Sequence, residues 1–126
     1  MLYNDKVMEA FQNPKNVGEI ENYDGIGTVG NATCGDIMQI TIKVENNRIV
    51  DAKFKTFGCA AAVATSSTAT EMIKGMTLDE ALTVTNKKVI DYLGGLPAQK
   101  IHCSVLAEEA IKGAIDDYRL KHPEAK

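Results

Sequence analysis

The stretch Met38-Gln39-Ile40-Thr41-Ile42-Lys43-Val44-Glu45-Asn46-Asn47 decides the fold. Met38, Ile40, Ile42 and Val44 alternate with Gln39, Thr41, Lys43 and Glu45, a period of two that turns one face of a strand to a core. Val50, Ala52, Phe54 and Thr56 alternate with Asp51, Lys53 and Lys55 in the same way. Between the runs, Asn46-Asn47 tolerates positive φ, so the two strands are expected to form an antiparallel hairpin with one wet face.

Outward from the hairpin, a glycine-rich run over about Gly25 to Asn31 reads as a third, weaker strand. Before it, Asn4 is placed to cap a short helix over roughly Asp5 to Asn13, with Val7, Met8 and Phe11 on one face and Pro14 as its stop. The turn formers of residues 15–25 read as an irregular connection, expected to be the least firmly held part of the chain. After the hairpin, the small residues from Cys59 to Lys74 predict a helix able to lie close to a sheet, ended by Gly75. Thr77-Leu78-Asp79-Glu80 is a capping-box pattern, and Thr85 starts another short helix that ends near Gly94-Gly95. Leu96-Pro97 predicts an extended segment running to Cys103. A last helix follows from about Ser104 to Lys121, burying Ala107, Ile111, Ala114, Ile115 and Tyr118 and pairing Glu108 with Lys112 in water. The expected class is α+β: a small antiparallel three-stranded sheet with helices packed mainly on one face.

The 126 residues suit one domain with a core of its own, and 44% apolar and 25% charged residues are those of a globular chain. A net charge of -3 without a basic stripe argues against a nucleic-acid-binding module. No apolar run approaches the roughly 20 residues of a membrane span, and Met1 to Lys6 carries no secretory signal, so a cytoplasmic protein with no membrane partner is expected.

The three cysteines, Cys34, Cys59 and Cys103, each sit where coil gives way to a regular element, and they cannot all pair internally. In a reducing compartment, metal binding or thiol chemistry therefore gains weight. Cys34 and Asp36 flank Gly35, which permits a turn sharp enough for both to face one ion. Cys59 and Cys103 fall at expected helix N-termini, where the dipole and free amides favour a thiolate. Soft thiolates select zinc or iron–sulfur centres, and a carboxylate among them is a harder, more exchangeable ligand. Taken singly, each cysteine is as readily a small buried hydrophobe, Asp36 a turn cap, His102 a surface histidine and Lys100 a solvated lysine.

Four motifs taken together go further. Asn13-Pro14-Lys15-Asn16-Val17-Gly18, Cys34-Gly35-Asp36-Ile37-Met38, Phe54-Lys55-Thr56-Phe57-Gly58-Cys59 and Lys100-Ile101-His102-Cys103-Ser104-Val105-Leu106-Ala107-Glu108 resemble, in order, the IscU/NifU-type iron–sulfur cluster assembly scaffolds. The resemblance implies a SufE/NifU-like fold and a single scaffold domain over residues 1–126. It also implies a non-enzymatic function: assembling a labile [2Fe-2S] cluster from iron and persulfide sulfur, and passing it to apo-proteins. The implied ligands are Cys34, Asp36, Cys59 and Cys103, with His102 an alternate ligand, Cys103 the persulfide acceptor and Lys100 an assisting residue. The implied partners are a cysteine desulfurase of the IscS/NifS type and apo iron–sulfur acceptor proteins. Zinc is a candidate occupant when no cluster is present, and a homodimer or another partner would shield the cluster.

The chain departs from the family pattern where members served by an Hsp70-type chaperone carry Leu-Pro-Pro-Val-Lys. Leu96-Pro97-Ala98-Gln99-Lys100 lacks the second proline and an apolar contact, which weighs against that chaperone as a partner. The further cysteine-bearing domains of the longer nitrogen-fixation relatives are not expected. An alternative function is the zinc-dependent sulfur acceptor of SufU type, whose insertion between the second and third cysteines has no evident counterpart here. A cysteine-nucleophile enzyme using His102 and Cys103 ranks below both, because adjacent residues usually point differently.

Overall fold

Asn46 and Asn47 both take positive φ, 53° and 63°, and close the hairpin where the sequence places it. The structure, a computed structural model, describes residues 5–31, 36–57, 60–95 and 101–121, with side chains described for all of these except 31, 36, 60, 61 and 101–105. Its elements in order are α1 (Asp5–Gln12), β1 (Gly25–Asn31), β2 (Asp36–Glu45), β3 (Arg48–Phe57), α2 (Ala60–Ile73), α3 (Leu78–Ala81), α4 (Asn86–Tyr92) and α5 (Ile101–Lys121). The strands form one antiparallel sheet in the order β1-β2-β3. α5 packs on β1 and β2, α2 packs on β3, and α1 and α4 lie against α2. The α+β class with helices over one sheet face is therefore the observed one.

Met38, Ile40, Ile42 and Val44 are buried as their alternation requires. In β3 the alternation changes phase. The register passes from Lys43↔Asp51 to Val44↔Ile49, so Val50 is the extra residue of a β-bulge. Ile49 takes the core position, and Val50, expected inside, is 48% exposed. The outer face of the sheet is also drier than alternation suggests, because Thr41 is only 1% exposed and its hydroxyl accepts the Ile20 N–H.

That bond belongs to a series that corrects the expectation of a loosely held connection. Gly18 N donates to the Phe54 carbonyl, Phe54 N donates to the Asn16 carbonyl, and Lys15 N donates to Ser67 Oγ. Asp24 Oδ2 accepts the Val44 N–H at 2.8 Å. The segment's backbone thus ties it to β3 and α2, covering the outer edge of β3, and the Asp24 carboxylate ties it to β2. In α1, Val7 is fully buried, but Phe11 is 40% exposed rather than part of an apolar face. The expected Asn4 cap lies outside the described residues.

Gly75 at φ 85° follows α2, and the capping box of α3 forms as read, with Thr77 N donating to Glu80 Oε1 at 2.9 Å. The Thr77 amide, and after it the Thr77 hydroxyl, hold the Glu80 carboxyl below the usual carboxylate range. Because folding lowers this pKa, its stabilisation is present above the ordinary value of 4.5 and is lost as pH falls through the folded value. An NMR titration of the Glu80 side chain is expected to give a midpoint below 4.5. Thr77→Val, which keeps the amide and removes the hydroxyl, should raise that midpoint part of the way; an unchanged midpoint would contradict the hydroxyl's share.

α5 starts three residues earlier than the sequence suggests, at Ile101 rather than about Ser104. Its buried stripe includes the expected Ala107, Ile111, Ala114, Ile115 and Tyr118 together with Leu106 and Ala110. Glu108 does not pair with Lys112; its Oε1 accepts the Asn86 N–H at the start of α4 instead. The expected extended segment at Leu96-Pro97 lies outside the described residues.

Candidate metal centre

Three strand ends meet at one end of the sheet. Among the described residues, Asn31↔Asp36 is the last pair of β1 with β2, and Ile37↔Phe57 is the last pair of β2 with β3. The chain from Asn31 to Asp36 contains Cys34, and the chain from Phe57 to Ala60 contains Cys59. Cys34 and Cys59 themselves lie outside the described residues, as does Lys100. Asp36 is described as the first residue of β2, without its side chain.

α5 brings its start to the same end, and two glycines of β1 set its course. A Cβ on Gly25 would fall on the Ala114 carbonyl oxygen, and one on Gly27 on the Ala110 carbonyl oxygen. The helix therefore runs antiparallel to β1 with backbone against backbone, an approach only glycine allows. Cys103 lies seven residues before Ala110, about 10 Å along a helix axis. Three strand residues from Gly27 to Gly30 span about the same distance. The turn bearing His102 and Cys103 is thus level with the Asn31↔Asp36 end of the sheet. These two residues lie inside the first turn of α5 rather than in an extended segment leading up to it.

α2 begins at Ala60, one residue after Cys59, so it too starts from this end. Two helix N-termini, each with first-turn amides that have no partner within the helix and a positive partial charge, suit thiolates and other anions. The structure thus gathers the backbone of Asp36, His102 and Cys103 and the chain ends that flank Cys34 and Cys59. Among the described residues no three His, Cys, Asp or Glu side chains converge on a metal site elsewhere.

Beneath this end the sheet is tied to α2. Met38 is fully buried, and Ser66 directs its hydroxyl at the Met38 sulfur and at the Ala62 carbonyl. Above it, the cross-strand neighbours Ile37 and Phe57 are 48% and 80% exposed. Sequence reasoning overlooked this outward pair, although both residues share the phase of Gln39 and Lys55. A cavity of about 480 Å³ lies elsewhere, between α1, α2 and α4, lined among others by Lys6, Ser67, Thr68 and Tyr92.

The family described as NifU-like N terminal domain matches residues 2–125. The chain is 62% identical over 121 residues to the iron-sulfur cluster assembly scaffold protein IscU 1 of Archaeoglobus fulgidus, covering 96% of this chain and 79% of that protein. It is 52% identical over 125 residues to the iron-sulfur cluster assembly scaffold protein IscU of Azotobacter vinelandii, covering 96% and 97%. Its fold is similar to the crystal structure of a nitrogen-fixing NifU-like protein (N-terminal) from Brucella abortus, with a TM-score of 0.81 at 20% identity over 95% of this chain and 96% of that one. With the family matched across nearly its whole length, this chain belongs to the NifU-like N-terminal domain family.

Proposed function

We propose that this chain is an iron–sulfur cluster assembly scaffold, with residues 1–126 acting as one scaffold domain. On it, iron and persulfide sulfur are combined into a labile [2Fe-2S] cluster that is passed on to apo-proteins. The observation that carries the reading is the meeting of three strand ends and the start of α5 at one end of the sheet. The relatives that are 52% and 62% identical bear the name of scaffolds, which supports the same reading and does not favour a zinc-dependent sulfur acceptor.

In this reading the cluster is cargo, held by Cys34, Asp36, Cys59 and Cys103, with His102 as an alternate ligand. Thiolates hold iron tightly, and the Asp36 carboxylate is the harder ligand that exchanges first. Cys103, in the first turn of α5, has its thiolate favoured by the helix N-terminus. It attacks the outer sulfur of a persulfide on a cysteine desulfurase of the IscS/NifS type; the desulfurase thiolate leaves, and Cys103 becomes the persulfide. That sulfur is at the sulfane level and takes two electrons from a reductant to become cluster sulfide. Lys100, next to this turn in sequence, assists with its charge. Zinc occupies the ligand set when no cluster is present.

Transfer of persulfide sulfur tests the acceptor. With radiolabelled cysteine and a pyridoxal-phosphate desulfurase, label is expected on the parent chain and lost in Cys103→Ser. Label arriving undiminished on Cys103→Ser would assign acceptance to Cys34 or Cys59.

A further inference from the structure

The last described rung between β2 and β3 is Ile37↔Phe57, one residue after Asp36 on β2 and two residues before Cys59 in sequence. Rungs near the end of a strand open more readily than those in the middle of a sheet. This one has an additional bond. Thr56 Oγ1 donates to the Ile37 carbonyl at 2.6 Å, crossing from β3 to β2. On its other side, β2 is held at Asp36 by pairing with Asn31. The Thr56 hydroxyl is therefore the described side-chain link between the strand that carries Asp36 and the strand that leads into Cys59. Neither fold stability nor core burial requires a hydroxyl there, because the residue is only partly buried and valine favours a strand at least as well.

We infer that Thr56 is a positioning residue for cluster retention, holding β2 at Ile37, the neighbour of Asp36, to the strand that precedes Cys59 through its hydrogen bond to the Ile37 carbonyl. The inference rests on the proposed scaffold function. With the bond in place β2 and β3 stay paired up to the described rung nearest Asp36. Without it the rung opens more often, and the Asp36 side of the site lets the cluster go sooner.

The test uses the full chain, loaded anaerobically with [2Fe-2S], and follows loss of visible circular dichroism after addition of excess iron chelator. Thr56→Val is expected to lose its cluster about fivefold faster than the parent, the factor carried by one net hydrogen bond. Thr56→Ser, which keeps the hydroxyl, should stay within about twofold of the parent. In an Asp36→Ala background Thr56→Val should add less than about twofold, because β2 then carries no such ligand for the rung to place. Amide hydrogen exchange in the cluster-free chain should speed up at Phe57 in Thr56→Val while Ile40, in the central strand, stays protected. A Thr56→Val chain that loses its cluster at the parental rate, or a Thr56→Ser chain as fast as Thr56→Val, would overturn the inference and leave the scaffold reading standing. A parent chain that takes up no cluster would overturn both.

Discussion

Gly27→Ala is expected to destabilise the fold by about 3 kcal/mol or more, measured by urea denaturation. The added methyl would fall on the Ala110 carbonyl oxygen and within 2.5 Å of the Ala114 nitrogen. Both are backbone atoms in the middle of a 21-residue helix, so no side chain can turn away to make room. Either α5 lifts off β1 or the strand bends. Gly113→Ala is the control from the facing side of the same contact. Its methyl would meet the Gly27 Cα at 3.4 Å, an ordinary contact, and alanine gains up to about 1 kcal/mol in helix propensity. That variant should be as stable as the parent or slightly more so. A Gly27→Ala chain of parental stability would show that α5 is not seated backbone to backbone on β1. Since that seating brings the first turn of α5 level with the Asn31↔Asp36 pair, Gly27→Ala should also impair cluster assembly.

The second large effect is on release. Asp36→Ala is expected to slow cluster transfer to an apo-ferredoxin on the order of tenfold, equivalent to about 1.4 kcal/mol in the barrier. In the proposed ligand set Asp36 is the hard, exchangeable ligand through which an incoming thiolate displaces the scaffold, and the substitution removes it. The measurement is the growth of the ferredoxin spectrum under anaerobic conditions. Transfer at the parental rate would mean that release starts at one of the thiolates.

The hairpin, the capping box and the buried stripe of α5 were legible in the sequence because each is written in local spacing. Val50 departs from the alternation because the bulge adds one residue between Ile49 and Asp51; Ala52 and Phe54 beyond it stay inside, and only the partner strand reveals the slip. The connection over residues 15–24 looked loose because Asn, Asp and Gly are turn formers. Their long-range bonds to β2, β3 and α2 depend on tertiary neighbours that no local pattern records. The glycines of β1 weakened it as a strand pattern, and the close approach of α5 explains why they are there. At the site, Cys34, Asp36, Cys59, His102 and Cys103 were selected by residue type and motif. The fold adds that the elements flanking them share one end of the sheet. Thr56 was read only as one more position in an alternating strand, since a hydroxyl's bond to a carbonyl nineteen residues away leaves no periodic trace.

The central claim is that this end of the sheet holds a [2Fe-2S] cluster through three thiolates and one carboxylate. The most direct measurement is Mössbauer spectroscopy of the full chain after anaerobic reconstitution with ⁵⁷Fe, cysteine and a cysteine desulfurase. The account predicts two inequivalent ferric sites in equal amounts, one with thiolate ligands alone and one with mixed sulfur and oxygen ligation, the inequivalence disappearing in Asp36→Cys. Tightly retained zinc with no cluster formed, or two equivalent iron sites in the parent chain, would contradict it.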